Sequence, residues 1–111
     1  MKKIFIACGY HGVKGATVET TERELHKAIK SVKSEMSKDM CRMLHSTLSK
    51  SLSEMLPDMI SKGTATDKYG EHYDREKFND DLLAVAVYDH IGNNKRIGLS
   101  ADIQPGTDTL Q

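Results

Sequence analysis

The stretch between residues 16 and 56, which contains neither glycine nor proline, constrains the fold more than any other feature of this sequence. Thr21 and Glu24 form a capping box, which predicts a helix beginning at Glu22. Apolar residues then recur at three- and four-residue steps and keep one phase, as expected for one face of a helix. This stripe comprises Leu25, Ile29, Val32, Met36, Met40, Met43, Leu44, Leu48, Leu52, Met55 and Leu56.

A single helix over residues 22–56 would be about 50 Å long, since each residue adds about 1.5 Å. That length exceeds the width of a domain of this size, which leaves two interpretations. Either the helix breaks near Ser37, which would cap a second helix, or the stripe is buried against other copies of the chain. The unbroken phase favours self-association. Pro57 is predicted to end or kink the helix, and Gly63 is predicted to stop it.

The remaining segments predict strands and connectors. Residues 3–8 are apolar on both faces, which predicts an inner strand. Residues 9–20 are interpreted as an irregular loop in preference to the second arm of a hairpin. Residues 64–81 form a polar connector, with a short helix over Asp74 to Asn79 capped by Asp74.

The segment 82–103 is predicted to be a β-hairpin around a three-residue loop, Gly92 to Asn94, because glycine and asparagine tolerate the backbone angles of such a loop. This register collects the apolar side chains on one face. The opposite face would then carry Tyr88, His90 and Arg96, and a neighbouring histidine and arginine suit an anionic group.

The chain is therefore predicted to form a single α+β domain over residues 1–111. Its small antiparallel or mixed sheet of three to four strands, made of the N-terminal strand and the C-terminal hairpin, would pack on one very long or two helices. With 38% hydrophobic and 29% charged residues the composition is that of a globular protein.

Charge argues against nucleic acid as a partner, because basic and acidic residues number 16 each. Residues 1–62 hold 11 basic and 7 acidic groups, whereas residues 63–111 hold 5 and 9. This asymmetry indicates either head-to-tail contacts between copies or two ordinary solvated surfaces.

The two cysteines, Cys8 and Cys41, lack a CxxC spacing and are interpreted as buried free thiols. The first apolar run is too short for a signal peptide, and no stretch is long enough to cross a membrane. We therefore expect a cytoplasmic protein without a membrane partner.

The leading candidate site is the glycine-rich loop over residues 9–15, at the end of a buried strand. In such a loop the backbone amides can surround and bind an anion. A simple tight turn is the alternative, since the pattern matches neither a Walker A loop nor a dinucleotide-binding fingerprint. The favoured function is a homo-oligomer that binds an anionic, nucleotide-like small ligand; the sequence identifies no cofactor. The expected ligand-binding residues are Gly9, Tyr10, Gly12, Lys14, Gly15, Tyr88, His90 and Arg96.

The same region resembles the opening of zinc-dependent N-acetylmuramoyl-L-alanine amidases. The matching residues are Ile4 to Ile6, Gly9, His11, Gly12, Gly15, Ala16, and Glu19 or Glu22. The resemblance implies metal-assisted hydrolysis, with His11 as a zinc ligand and Glu19 or Glu22 as a second. A metal-free alternative uses His11 with a nearby glutamate for acid and base catalysis. Tyr10, inserted between Gly9 and His11, departs from the family's pattern.

A third alternative is a structural or interaction protein whose long methionine-rich helix is the working surface. A basic stripe lies on the same helical segment and indicates either a site for phosphates or a solvated helix face. It comprises Arg23, Lys27, Lys30, Lys38 and Arg42.

Overall fold

A computed structural model describes residues 2–6, 16–93 and 99–100. The elements in chain order are β1 (Lys2–Ile6), β2 (Ala16–Thr20), α1 (Glu22–Glu35), α2 (Lys38–Lys62), β3 (Ala65–Thr66), β4 (His72–Tyr73), α3 (Arg75–Asn93) and β5 (Leu99–Ser100). The described part of the chain is mostly helical, with small antiparallel sheets. The predicted α+β class holds in this coarser form.

The N-terminal strand β1 lies between β2 and β5, with both neighbours antiparallel. Ile4 pairs with Val18 of β2, and Ile6 pairs with Ala16. Alternate residues of β2 are buried, so one face of this strand covers the core. The interpretation of residues 9–20 as a loop is therefore wrong for the β2 residues, which form the second arm of an antiparallel pair. The glycine-rich segment 9–15 lies outside the described residues.

The long apolar segment forms two helices, so the favoured interpretation of one unbroken helix is wrong and the predicted break near Ser37 is confirmed. Met36 is extended, with φ −132° and ψ 143°, and ends α1. The Ser37 hydroxyl oxygen accepts a hydrogen bond from the Met40 amide at 3.2 Å and so caps α2. Hydrophobic periodicity shows which residues are buried, but it does not show whether the helix axis changes direction.

The buried face of α2 differs from the predicted stripe in its first half. Met40 and Met43 are 45% and 59% exposed. The buried residues of this helix are Cys41, His45, Ser49, Leu52, Met55 and Met59. Small side chains near its beginning allow α3 to approach closely, which is why the larger methionines face outward.

Pro57 is predicted to end or kink the helix, and the first of these is wrong, since Pro57 lies inside α2, which continues to Lys62. Met55 and Met59, on either side of the proline, are both buried in the core. Packing of this face therefore outweighs the local cost of proline. The predicted stop at Gly63 is confirmed: this residue has a φ of 76° and its amide donates to the Met59 carbonyl at 3.0 Å.

The predicted C-terminal hairpin is wrong, because its first arm and most of its turn belong to α3. Asp74 is confirmed as an N-cap, since its carboxylate accepts from the Lys77 amide at 2.8 Å, but the helix continues to Asn93. Residues 82–91 are rich in apolar side chains that suit a buried strand and a buried helix equally. The cap starts the helix ahead of this segment, and packing against α2 extends it through the segment.

The predicted polar connector contains a short hairpin, in which Ala65 pairs with Tyr73 and Thr66 with His72. The Asp67 carboxylate accepts hydrogen bonds from the backbone amides of Tyr69 and Glu71 and so fixes the turn between the two strands. This hairpin turns the chain between α2 and α3.

The core lies where α2 and α3 pack against each other and against β2 and α1. Leu52 of α2 and Val85 of α3 are fully buried, and Leu82 is almost so. Gly92 approaches the backbone of Arg42 so closely that a β-carbon there would lie 3.1 Å from the Arg42 amide nitrogen. None of the described helices is long and apolar enough to span a membrane.

Candidate anion-binding site

The predicted site residues fall into two groups. Those of the glycine-rich loop, together with Arg96, lie outside the described residues: Gly9, Tyr10, His11, Gly12, Lys14 and Gly15. Glu19 lies in β2, opposite Lys3 of β1, and Glu22 is the first residue of α1. The structure therefore leaves the loop hypothesis as a prediction.

Tyr88 and His90 do not share the sheet face predicted for them. Both lie on α3, where positions two residues apart are rotated by about 200° around the helix axis. Their side chains therefore point to nearly opposite sides of the helix. Tyr88 packs against the core, and burial raises the pKa of its hydroxyl. The negative charges that Cys41 and Asp81 carry when ionised raise this pKa further. His90 lines a surface cleft at the opposite side of the helix.

This cleft forms where the ends of three helices meet. Lys33 and Met36 come from the end of α1, Lys38 is the first residue of α2, and His90 and Ile91 belong to the last turns of α3. Its volume is about 520 Å³, within the range of small-molecule sites. The lining thus combines two lysines and a histidine with a methionine and an isoleucine.

Local capping positions the two lysines of the cleft. The Met36 amide donates to the Val32 carbonyl at 2.9 Å and closes α1, and Ser37, whose backbone is extended, then caps α2. The side chains of Lys33 and Lys38 are therefore brought to one corner, although the helices that carry them differ. The exposed positions of both lysines leave their ammonium groups accessible to a ligand.

The electrostatics of the corner are set by side chains more than by helix dipoles. The amino end of α2 favours an anion, but the carboxyl ends of α1 and α3 oppose it. The guanidinium of Arg42 is already engaged, by the Gly92 carbonyl at 2.9 Å and by the Asp39 carboxylate at 2.9 Å. The remaining cationic groups of the cleft, on Lys33 and Lys38, therefore supply its positive potential.

Sequence reasoning identified His90 and Lys38 but placed them in separate candidate sites, and it missed Lys33, Met36 and Ile91. The signal was present in Ser37, a capping residue between two basic positions. Accepting the helix break there would have placed Lys33 and Lys38 on the same corner.

A polar cluster that extends from a buried histidine to the surface lies between α2 and α3. The His45 imidazole Nε2 lies 3.6 Å from the Asp89 carboxylate. This carboxylate also accepts a hydrogen bond from the side-chain amide of Asn93 at 2.9 Å. Cys41 is one helical turn before His45, a spacing that suits a thiol and a base. The thiol is fully buried, however, and burial raises its pKa, so it lacks the thiolate character of a nucleophile. The cluster satisfies buried polar groups, and the predicted burial of the Cys41 thiol is confirmed.

Metal chemistry receives no support from the described part of the chain, where no three histidine, cysteine or acidic residues are grouped to hold a metal ion. The zinc hypothesis relies on His11, which lies outside that part.

Comparison with known proteins does not assign the chain to a class. No protein-family model matches the sequence, and neither the curated proteins nor the solved structures provide a significant match.

Tyr73 of β4 and Asp81 of α3 form a hydrogen-bonded pair whose pKa values are both shifted. The Tyr73 hydroxyl donates a hydrogen bond to the Asp81 carboxylate at 3.0 Å. Burial raises the pKa of Asp81 above its ordinary value of 3.8, and the bond from Tyr73 offsets part of that rise. Burial, followed by the bond to Asp81, also raises the pKa of the Tyr73 hydroxyl.

The raised pKa of Asp81 predicts a pH dependence of stability. The folded chain holds this proton more tightly than the unfolded chain, so stability is lost as pH rises from 3.8 through the folded pKa. Urea unfolding of the wild type and of Asp81→Asn, compared over this range, should show the wild type losing stability relative to the variant. Tyr73→Phe should move the loss to higher pH. A difference that is constant with pH would contradict the assignment.

Proposed function

We propose that this chain is a small cytoplasmic, homo-oligomeric protein that binds an anionic small ligand in the cleft between the ends of α1, α2 and α3. The observation that carries the proposal is the convergence of Lys33, Lys38 and His90 in one cleft with Met36 and Ile91. Capping at the α1–α2 junction places the two lysines, and the packing of α3 adds His90, which is distant in sequence.

The chemistry of the cleft suits a ligand with a phosphate or carboxylate group and an apolar body. Lysine ammonium groups bind phosphate as point charges. The thioether of Met36 and the side chain of Ile91 offer an adaptable surface to a ring or an aliphatic chain. A nucleotide-like ligand combines both parts, with its phosphates at the lysines.

A second candidate function is binding to another protein through the outer face of α2. The exposure of Met40 and Met43 favours it, because large apolar side chains at the surface are typical of interaction sites. The metal-assisted hydrolase stays a prediction from sequence, since no described contact supports it.

Thermal unfolding in phosphate tests the anion proposal. A ligand that binds only the folded state stabilises it, by about 2.7 kcal/mol at a concentration one hundred times its Kd. We expect inorganic phosphate to raise the Tm above that in chloride of equal ionic strength. The double variant Lys33→Gln/Lys38→Gln should lose this increment.

Lys50→Gln is the matched control, because Lys50 is an exposed lysine of α2 that does not line the cleft. It should retain the full increment. An equal increment in all three proteins would show general salt stabilisation, and the absence of any increment in the wild type at millimolar phosphate would overturn phosphate binding. A nucleoside monophosphate, tested in the same way, reports whether Met36 and Ile91 add affinity for the ligand.

A further inference from the structure

The outer face of α1 presents a row of basic side chains. Arg23, Lys27 and Lys30 are exposed and lie at three- and four-residue steps, opposite the apolar side that includes the buried Leu25. None of these three takes part in an ion pair within the part of the chain that the structure describes. Their charges are available to a partner.

A matching acidic row lies at the beginning of α3. Glu76 and Asp80 are exposed and one helical turn apart. Of the basic residues close to this row in sequence, Lys77 pairs with Glu71, whereas Arg75 is in none of the described ion pairs. Among the described ion pairs, none includes Glu76 or Asp80.

We propose that the basic row of one copy binds the acidic row of a second copy. Positions four apart on a helix are separated by about 6 Å along its axis, so Arg23 and Lys27 match the spacing of Glu76 and Asp80. The contact extends the homo-oligomer of the proposed function, on which it rests, and it uses residues other than those of the cleft.

An apolar residue lies close to the acidic row. Ile60 is 72% exposed and lines a groove that also includes Arg75 and Asn79, the neighbours of the acidic pair in sequence. An apolar centre with a charged rim is the usual anatomy of a protein interface. The guanidinium of Arg75 reduces the negative potential at the edge of the groove that it lines.

Because the two rows are different surfaces, the contact is heterologous and leads either to a closed ring or to an open chain of copies. Exposed ion pairs are individually weak and are screened by salt. Association should therefore increase with protein concentration and decrease with ionic strength.

Sedimentation velocity of the full chain, at ionic strengths of about 0.01 M and 1 M, tests the proposal, since the Debye length falls from about 30 Å to about 3 Å between them. The wild type should associate at low salt and approach its monomer mass of 12.4 kDa at high salt. Two charge reversals, Arg23→Glu/Lys27→Glu and Glu76→Lys/Asp80→Lys, should each be monomeric alone. Mixed in equal amounts they should associate again, because every interface then joins opposite charges.

Circular dichroism of each variant checks folding, and Lys50→Glu is a charge-reversal control that should associate as the wild type does. A monomeric wild type at low salt, or a mixture that stays monomeric while both variants are folded, would overturn the proposal. Salt-dependent binding of the wild type to anionic vesicles or RNA in place of self-association would also overturn it. The basic-row variant should keep its phosphate-dependent Tm increment, so failure here is distinguishable from failure of the anion site.

Discussion

Replacement of Leu52 by alanine is expected to lower the free energy of unfolding by about 2–5 kcal/mol. The Leu52 side chain is fully buried in α2, within the core shared with α3, where Val85 is also fully buried. Truncation removes its contacts and leaves a cavity that the two helices cannot close without moving. Urea unfolding followed by circular dichroism measures the loss.

The matched control is Ile60→Ala, which removes a similar aliphatic side chain from the same helix at a position that is 72% exposed. Its cost should be within about 0.5 kcal/mol, as for ordinary surface substitutions. Similar costs for both variants would contradict the assigned orientation of α2.

Replacement of Gly92 by valine is expected to cost about 1–3 kcal/mol, as overpacking does in well-packed regions. A β-carbon at this position would lie 3.0 Å from the Arg42 side-chain Cγ and 3.1 Å from its backbone nitrogen. The arginine stem can move, but the backbone of α2 cannot yield without separating the two helices. Denaturant unfolding reports the cost, and the m-value shows whether the native state remains compact.

Asn93→Val places the same β-branched residue at the adjacent, exposed position on the end of α3. It removes one surface hydrogen bond to Asp89 and should cost less than Gly92→Val. In a double-mutant cycle, Arg42→Ala should recover part of the cost of Gly92→Val but not all of it, because the backbone contact persists. Additive effects would show that the helices do not approach closely here.

Local capping and stop signals were predictable from the sequence. Thr21 accepts a hydrogen bond from the Glu24 amide, as its capping-box spacing indicates. The cap at Asp74 and the stop at Gly63 are likewise where short-range chemistry places them. These signals depend on a few neighbouring residues, which is why they can be read from the sequence, although packing overrode the local signal at Pro57.

Tertiary packing decided what the sequence left ambiguous. The apolar residues 82–91 suit a strand or a helix, and contact with α2 selects the helix. The buried face of α2 passes through Cys41, His45 and Ser49 because α3 packs closely there, which periodicity based on large apolar residues does not reveal. The cleft could not be predicted for the same reason. Lys38 and His90 were identified separately, but they lie in one cleft only because of how three helix ends pack together.

The central claim is that a small anion binds at the corner formed by Lys33, Lys38 and His90. A titration of ¹⁵N-labelled protein with inorganic phosphate, followed residue by residue through amide chemical shifts, tests it most directly. The account predicts saturable shifts that are largest at residues 33–38 and 90–91 and that disappear in Lys33→Gln/Lys38→Gln. Saturable shifts confined to other parts of the chain, or no shifts at the corner at all, would contradict it.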